Sequence, residues 1–114
     1  VRAALRRNQV SAGKNVYAFP RPQLLINLDT RQVWLKDQLI KLSPLEFSIL
    51  IMLADNAPKP VQYEMIADKV WGEDNQAIRN RMKFTIHSLR KKLNTAHDLD
   101  LIVNHMNFGY QLDI

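Results

Sequence analysis

Between residues 79 and 92 this chain places six cations, Arg79, Arg81, Lys83, Arg90, Lys91 and Lys92, without one acidic side chain. Interleaved with them stand Asn80, Phe84, Thr85, His87 and Ser88. Guanidinium and ammonium groups neutralise phosphates. Amides and hydroxyls exchange hydrogen bonds with base edges, and a phenyl ring can meet a thymine methyl. The chemistry open to such a set is recognition of a polyanion, and of duplex nucleic acid in particular. An ordinary solvated helix face mixes the signs of its charges to gain i,i+4 pairs, and this stretch does not.

Those side chains need an element to aim them. On a helical wheel at about 100° per residue with Ile78 at the origin, Ile78, Leu89, Met82, Leu93 and Ile86 fall in one stripe about 80° wide. His87, Asn80, Lys91, Phe84 and Ser88 lie across the wheel at about 180° to 280°. Arg79, Arg90 and Lys83 flank one side, Arg81 and Lys92 the other. A helix over about 76–94 would bury the stripe, turn the polar row outward and carry cations on both shoulders. That shape suits a major groove, with the row at the base edges and the shoulders at the phosphates. Phe84 has two readings here: it packs beneath a neighbouring loop, or it meets a thymine methyl or a sugar.

The positive charge is local. Of 114 residues, sixteen are Lys or Arg and eleven Asp or Glu. Residues 1–22 carry five bases and no acid, whereas residues 23–78 carry five bases against eight acids. The last stretch, 93–114, holds only Asp98, Asp100 and Asp113. At 46% hydrophobic and 24% charged the chain has the composition of a folded domain. The absence of cysteine excludes a disulfide framework, a thiolate nucleophile and a Cys-ligated zinc site. His87, His97 and His105 lack metal-ligand spacing. No Gly-rich phosphate loop, nucleophile elbow or paired carboxylate is present, so neither an enzyme nor a cofactor is expected. The apolar run of residues 47–54, free of charge and proline, is too short to cross a bilayer. With no signal-peptide core at the start, a cytoplasmic location is expected.

Short β-type runs at 24–28, 32–35 and 38–42 are separated by Asp29-Thr30-Arg31 and Lys36-Asp37, which predicts an antiparallel meander. Ser43-Pro44-Leu45-Glu46 then has the form of a capping box with proline at the first helical position. The helix it opens should stop near Asp55-Asn56, because Pro58 and Pro60 forbid continuation. A second helix over roughly 62–71 ends at Gly72 and starts weakly, since Gln62 is a poor cap. After the third helix, 101–105 and 109–112 predict a terminal hairpin. The order is β-β-β-α-α-α-β-β, an α+β fold.

These residues resemble the OmpR/PhoB-type winged-helix DNA-binding domain of bacterial response regulators. Four motifs in order carry the resemblance, which covers nearly all of residues 24–112. They are Leu42-Ser43-Pro44-Leu45-Glu46-Phe47, Val70-Trp71-Gly72, Leu89-Arg90-Lys91-Lys92-Leu93 and Gly109-Tyr110. The opening seven residues resemble the end of a receiver domain's last helix. Residues 1–22 are thus expected to be receiver tail and interdomain linker, and 23–114 the winged-helix domain.

The resemblance implies a winged helix-turn-helix, with the third helix in the major groove and a wing over about 101–112 at the adjacent minor groove. It implies transcription control in a two-component system, dimers on direct-repeat double-stranded DNA, and an upstream receiver with its sensor kinase outside this chain. The loop after the second helix, with Glu73 and Asp74, would touch RNA polymerase. Transferred position by position, base contacts fall on Lys83, Phe84 and Ser88. Backbone contacts fall on Trp71, Asn80, Arg81, Thr85, His87 and Arg90, and the wheel adds Lys91. His105, Met106 and Asn107 form the wing tip.

Two departures stand out. The family often enters its recognition helix with acid-acid-Arg-Thr-Val, where this chain has Ile78-Arg79-Asn80-Arg81-Met82. Its wing commonly reads Arg-Gly-x-Gly-Tyr, where this chain has Met106-Asn107-Phe108-Gly109-Tyr110. With no arginine for a narrow minor groove, the expected reading is mostly in the major groove. Six neutralised phosphates would give a log–log salt slope near about −5 per protomer. Two rival functions fit the same elements: a protein-docking module using Phe84 and Phe108, or the cytosolic DNA-binding head of a membrane-anchored activator.

Overall fold

The computed structural model describes residues 15–20, 23–96 and 101–114. The receiver-like opening, His97, Asp98 and Asp100 lie outside the described residues. The chain divides into two compact units, one running through Lys41 and the other from Leu42 to Asp113.

The first unit is a four-stranded antiparallel sheet of β1 (Val16–Pro20), β2 (Gln23–Asn27), β3 (Gln32–Leu35) and β4 (Gln38–Ile40), in that spatial order. Side chains alternate across a strand, so cross-strand partners share a face. Phe19, Leu24 and Leu35 form one buried row, and Ile26, Val33 and Ile40 the next. The turn after β2 is an Asx turn: Asn27 Oδ1 accepts from the backbone N–H of Asp29 at 2.9 Å and of Thr30 at 3.2 Å. Lys36 and Asp37 both adopt positive φ, 49° and 67°, the mirror-type hairpin turn that matches strand twist.

Strand β1 falls within residues 1–22, the stretch expected to be receiver tail and interdomain linker. Only Phe19 of its five residues is buried, so the segment shows no alternation, and Pro20 is tolerated because the strand lies at the sheet edge.

The second unit holds α1 (Pro44–Asn56), β5 (Val61–Gln62), α2 (Tyr63–Trp71), α3 (Gln76–Ala96), β6 (Ile102–His105) and β7 (Gly109–Leu112). The capping box forms as expected. Glu46 N–H donates to Ser43 Oγ at 3.2 Å, and Ser43 N–H donates to Glu46 Oε1 at 2.8 Å. Gln62 gives α2 no side-chain cap, and Gly72 closes it at φ 80°, its N–H reaching the carbonyls of Ala67 and Asp68. Asn75 caps α3, its Oδ1 accepting from Ile78 N–H at 2.9 Å.

Helix α1 packs against α2, α3 and β7. The buried core includes Ile49, Leu50 and Leu53 of α1, Ile66 of α2, Met82, Ile86, Leu89 and Leu93 of α3, and Ile102 and Leu112 of the hairpin. Strand β7 pairs with β6 on one side and β5 on the other. There Gly109 faces Gln62, and a Cβ on Gly109 would land on the Val61 carbonyl. Only glycine fits. The observed order, β-β-β-β-α-β-α-α-β-β, is the expected winged helix with β1 and β5 added.

Candidate nucleic-acid interface

The wheel read from the sequence matches α3. Ile78, Met82, Ile86, Leu89 and Leu93 are all buried, and Asn80, Lys83, Phe84, His87 and Lys91 are all exposed. Phe84 leaves 77% of its surface in solvent, which removes the reading in which it packs beneath a loop. Asn80, Lys83, Phe84, His87 and Arg90 line an open groove of about 490 Å³ whose far wall includes Tyr110 of β7. Tyr110 is itself buried, and that burial, with Tyr63 beside it, pushes its phenol above the ordinary tyrosine value.

Arg79 and Lys92 are both held in ion pairs within the molecule. Arg79 Nε and Nη2 donate to the two carboxylate oxygens of Asp74 at 2.7 and 2.8 Å, a bidentate pair. The hydrogen bond from Arg79 holds the Asp74 carboxyl below its usual range. Lys92 Nζ donates to Glu46 Oε1 at 2.7 Å. Glu46 is 4% exposed yet remains ionised: burial pushes its pKa up, but hydrogen bonds from Lys92, Ser88 and the Ser43 N–H outweigh it.

That carboxylate changes the expectation for Ser88. Its hydroxyl is hydrogen-bonded to Glu46 of α1, and the residue is half-buried. On the wheel Ser88 and Lys92 are one turn apart, but nothing in the spacing shows that a buried carboxylate waits opposite them. Thr85 Oγ1 donates back to the Arg81 carbonyl at 2.8 Å, a common use of a helical threonine. Trp71 buries its indole Nε1 with no hydrogen-bond partner, so the donor expected to face a phosphate is not presented to solvent.

The hairpin offers a second exposed surface. Phe108 N–H donates to the His105 carbonyl at 2.9 Å across the turn, with Asn107 at φ 64°, a position asparagine tolerates. Met106 at the tip is 81% exposed. His105 Nε2 pairs with Gln111 Oε1, tying the two strands together. Tyr63, at the start of α2, lies against both strands of the hairpin and against Arg79. The sequence reading missed it, because its hairpin partners are more than forty residues away in the chain.

Helix α3 lies on a helix pair with its polar row outward, beside a hairpin: this is a winged helix-turn-helix. The family described as "Transcriptional regulatory protein, C terminal" matches residues 37–112, and the chain belongs to it. Among similar proteins, the transcriptional regulatory protein KdpE of Staphylococcus aureus is 32% identical over 96 residues, 82% of this chain and 42% of that protein. BasR of Escherichia coli is 30% identical over 112 residues, 98% of this chain and 47% of BasR. The chain thus spans about half the length of the curated relatives it matches. Among solved structures, the RstA DNA-binding domain of Klebsiella pneumoniae in complex with the RstA box superposes with a TM-score of 0.69 at 25% identity. That match covers 93% of this chain and 97% of the RstA domain. The response regulator DrrB, a Thermotoga maritima OmpR/PhoB homologue, gives 0.67 at 26% identity, covering 96% of this chain and 46% of DrrB. No helix among the described residues is long and apolar enough to cross a membrane.

Proposed function

We propose that this chain binds double-stranded DNA sequence-specifically, as the output domain of a two-component response regulator that controls transcription in the cytoplasm. One observation carries the reading: a phenyl ring 77% exposed sits in an outward row of Asn80, His87 and Lys91, above a fully buried stripe. A bare aromatic there gains no burial in the isolated protein. Among base edges it gains contact with a thymine methyl. The relative bound to the RstA box supports the same reading.

In this proposal α3 enters the major groove. Lys83 and Phe84 meet bases, and Asn80, Arg81, His87, Arg90 and Lys91 approach the backbone. His105, Met106 and Asn107 meet the adjacent minor groove with a smaller share of the energy. Ser88 and Lys92 act instead through Glu46, holding α3 on α1. Glu73 and Asp74 form the loop offered to RNA polymerase, and an upstream receiver answering a sensor kinase sets the dimeric state. No catalysis enters the proposal.

Selecting bound sites from a random duplex library tests it. A direct repeat spaced by about one helical turn is the expected product. An inverted repeat would require a different dimer, and no enrichment at low salt would overturn DNA binding and favour a protein-docking role for Phe84 and Phe108.

A further inference from the structure

We infer that Tyr63 is the positioning residue that sets the separation between α3 and the hairpin tip, and so determines how far apart a DNA site must present its two contacts. This rests on the DNA-binding reading above. A two-stranded hairpin is marginal alone. Here β7 is braced by β5, with Val61 opposite Tyr110 and Gln62 opposite Gly109, but β6 is the outer strand of that sheet. Tyr63 reaches it from the start of α2.

Tyr63 Oη lies 2.7 Å from Asn104 Oδ1 and 3.2 Å from the His105 carbonyl, both acceptors on β6. Its backbone N–H donates to the Phe108 carbonyl at 2.9 Å, beyond the tip. Its ring meets Tyr110 of β7 edge to face, with centroids 5.4 Å apart and planes 72° from parallel. The Arg79 guanidinium of α3 lies 5.4 Å from the same ring centroid, a cation–π contact. Asp74 clamps that guanidinium through two hydrogen bonds, so it is not a swinging cation. One side chain therefore links the helix assigned to the major groove with both strands of the wing. The hydroxyl is the part that grips β6, and it can be removed without disturbing the ring contacts.

The test is hydroxyl-radical footprinting on a duplex recovered by site selection, together with a second duplex carrying one extra base pair between the major- and minor-groove tracts. Wild type is expected to protect two tracts and to disfavour the lengthened duplex by about tenfold, the usual cost of one misplaced contact. Tyr63→Phe should lose the wing tract, keep the α3 tract and bind the two duplexes nearly equally, and Asn104→Ala, which leaves the His105 carbonyl as an acceptor, should show the same change in part. The double variant should be no worse than Tyr63→Phe alone, because that change already removes the hydroxyl. Unchanged thermal unfolding shows that the fold is intact. If Tyr63→Phe keeps both tracts and the spacing preference, the inference is overturned. It is equally overturned if both tracts fade together with a lowered melting temperature, since Tyr63 would then be merely structural. A wild type that protects no tract on any duplex removes the DNA reading itself. A wild type with two tracts and an indifferent Tyr63→Phe removes only the role given to Tyr63.

Discussion

Phe84 and Met106 are both bare apolar side chains, 77% and 81% exposed, but they stand on different supports. Phe84 projects from a helix whose opposite face is locked in the core, whereas Met106 tops a three-residue turn. We expect Phe84→Ala to weaken the selected site by about tenfold, and thymine-to-uracil replacement at one position to cost wild type but not the variant. Met106→Ala should lose less, measured by the same titration. Equal losses would contradict the dominance of the major groove. Lys83→Ala should relax sequence preference.

Glu46 gives a residue-scale prediction about stability. Its folded pKa lies below the usual glutamate value of 4.5, so its contribution is complete above that value and is lost as pH falls through the folded one. Glu46→Gln should cost about 1–3 kcal/mol in urea unfolding at neutral pH, with the gap to wild type narrowing in acid. A gap independent of pH would rule out the charged network. The capping half of this residue's job was legible in Ser43-Pro44-Leu45-Glu46, because it is local. The Lys92 and Ser88 half was not, because it joins positions more than forty residues apart.

At the scale of elements, the parts readable from the sequence were those whose determinants are contiguous. The Gly72 stop, the α1 cap and the five-residue stripe of α3 each need only neighbours within a turn or two. Strands β1 and β5 escaped for the opposite reason. The first has one buried residue, and the second is two residues long and exists only because β7 passes beside it. Two substitutions probe this layer. Gly109→Ala should unfold or strongly destabilise the second unit, because the added methyl meets the Val61 carbonyl and backbone cannot yield cheaply. Replacing Lys36-Asp37 by Asn-Gly should raise stability by about 1 kcal/mol, since both positions already hold left-handed φ at a cost. Melting temperatures check both, and a neutral Gly109→Ala would mean that β5 and β7 are not so closely paired.

For the molecule as a whole, the basic stretch seen in the sequence overstates the charge offered to DNA. Arg79 already sits on Asp74, and Lys92 on Glu46. If those two pairs hold on DNA, the log–log salt slope should be shallower than the about −5 per protomer that six neutralised phosphates would give. A slope that steep would mean that the internal pairs open on DNA.

The reading of α3 as the nucleic-acid face is tested most directly by amide chemical-shift mapping with the selected duplex. Perturbations should concentrate on Asn80 to Lys91, with a second, smaller group at His105 to Asn107. Shifts confined to β1–β4 or to α1, with Phe84 and its neighbours unmoved at saturation, would contradict it.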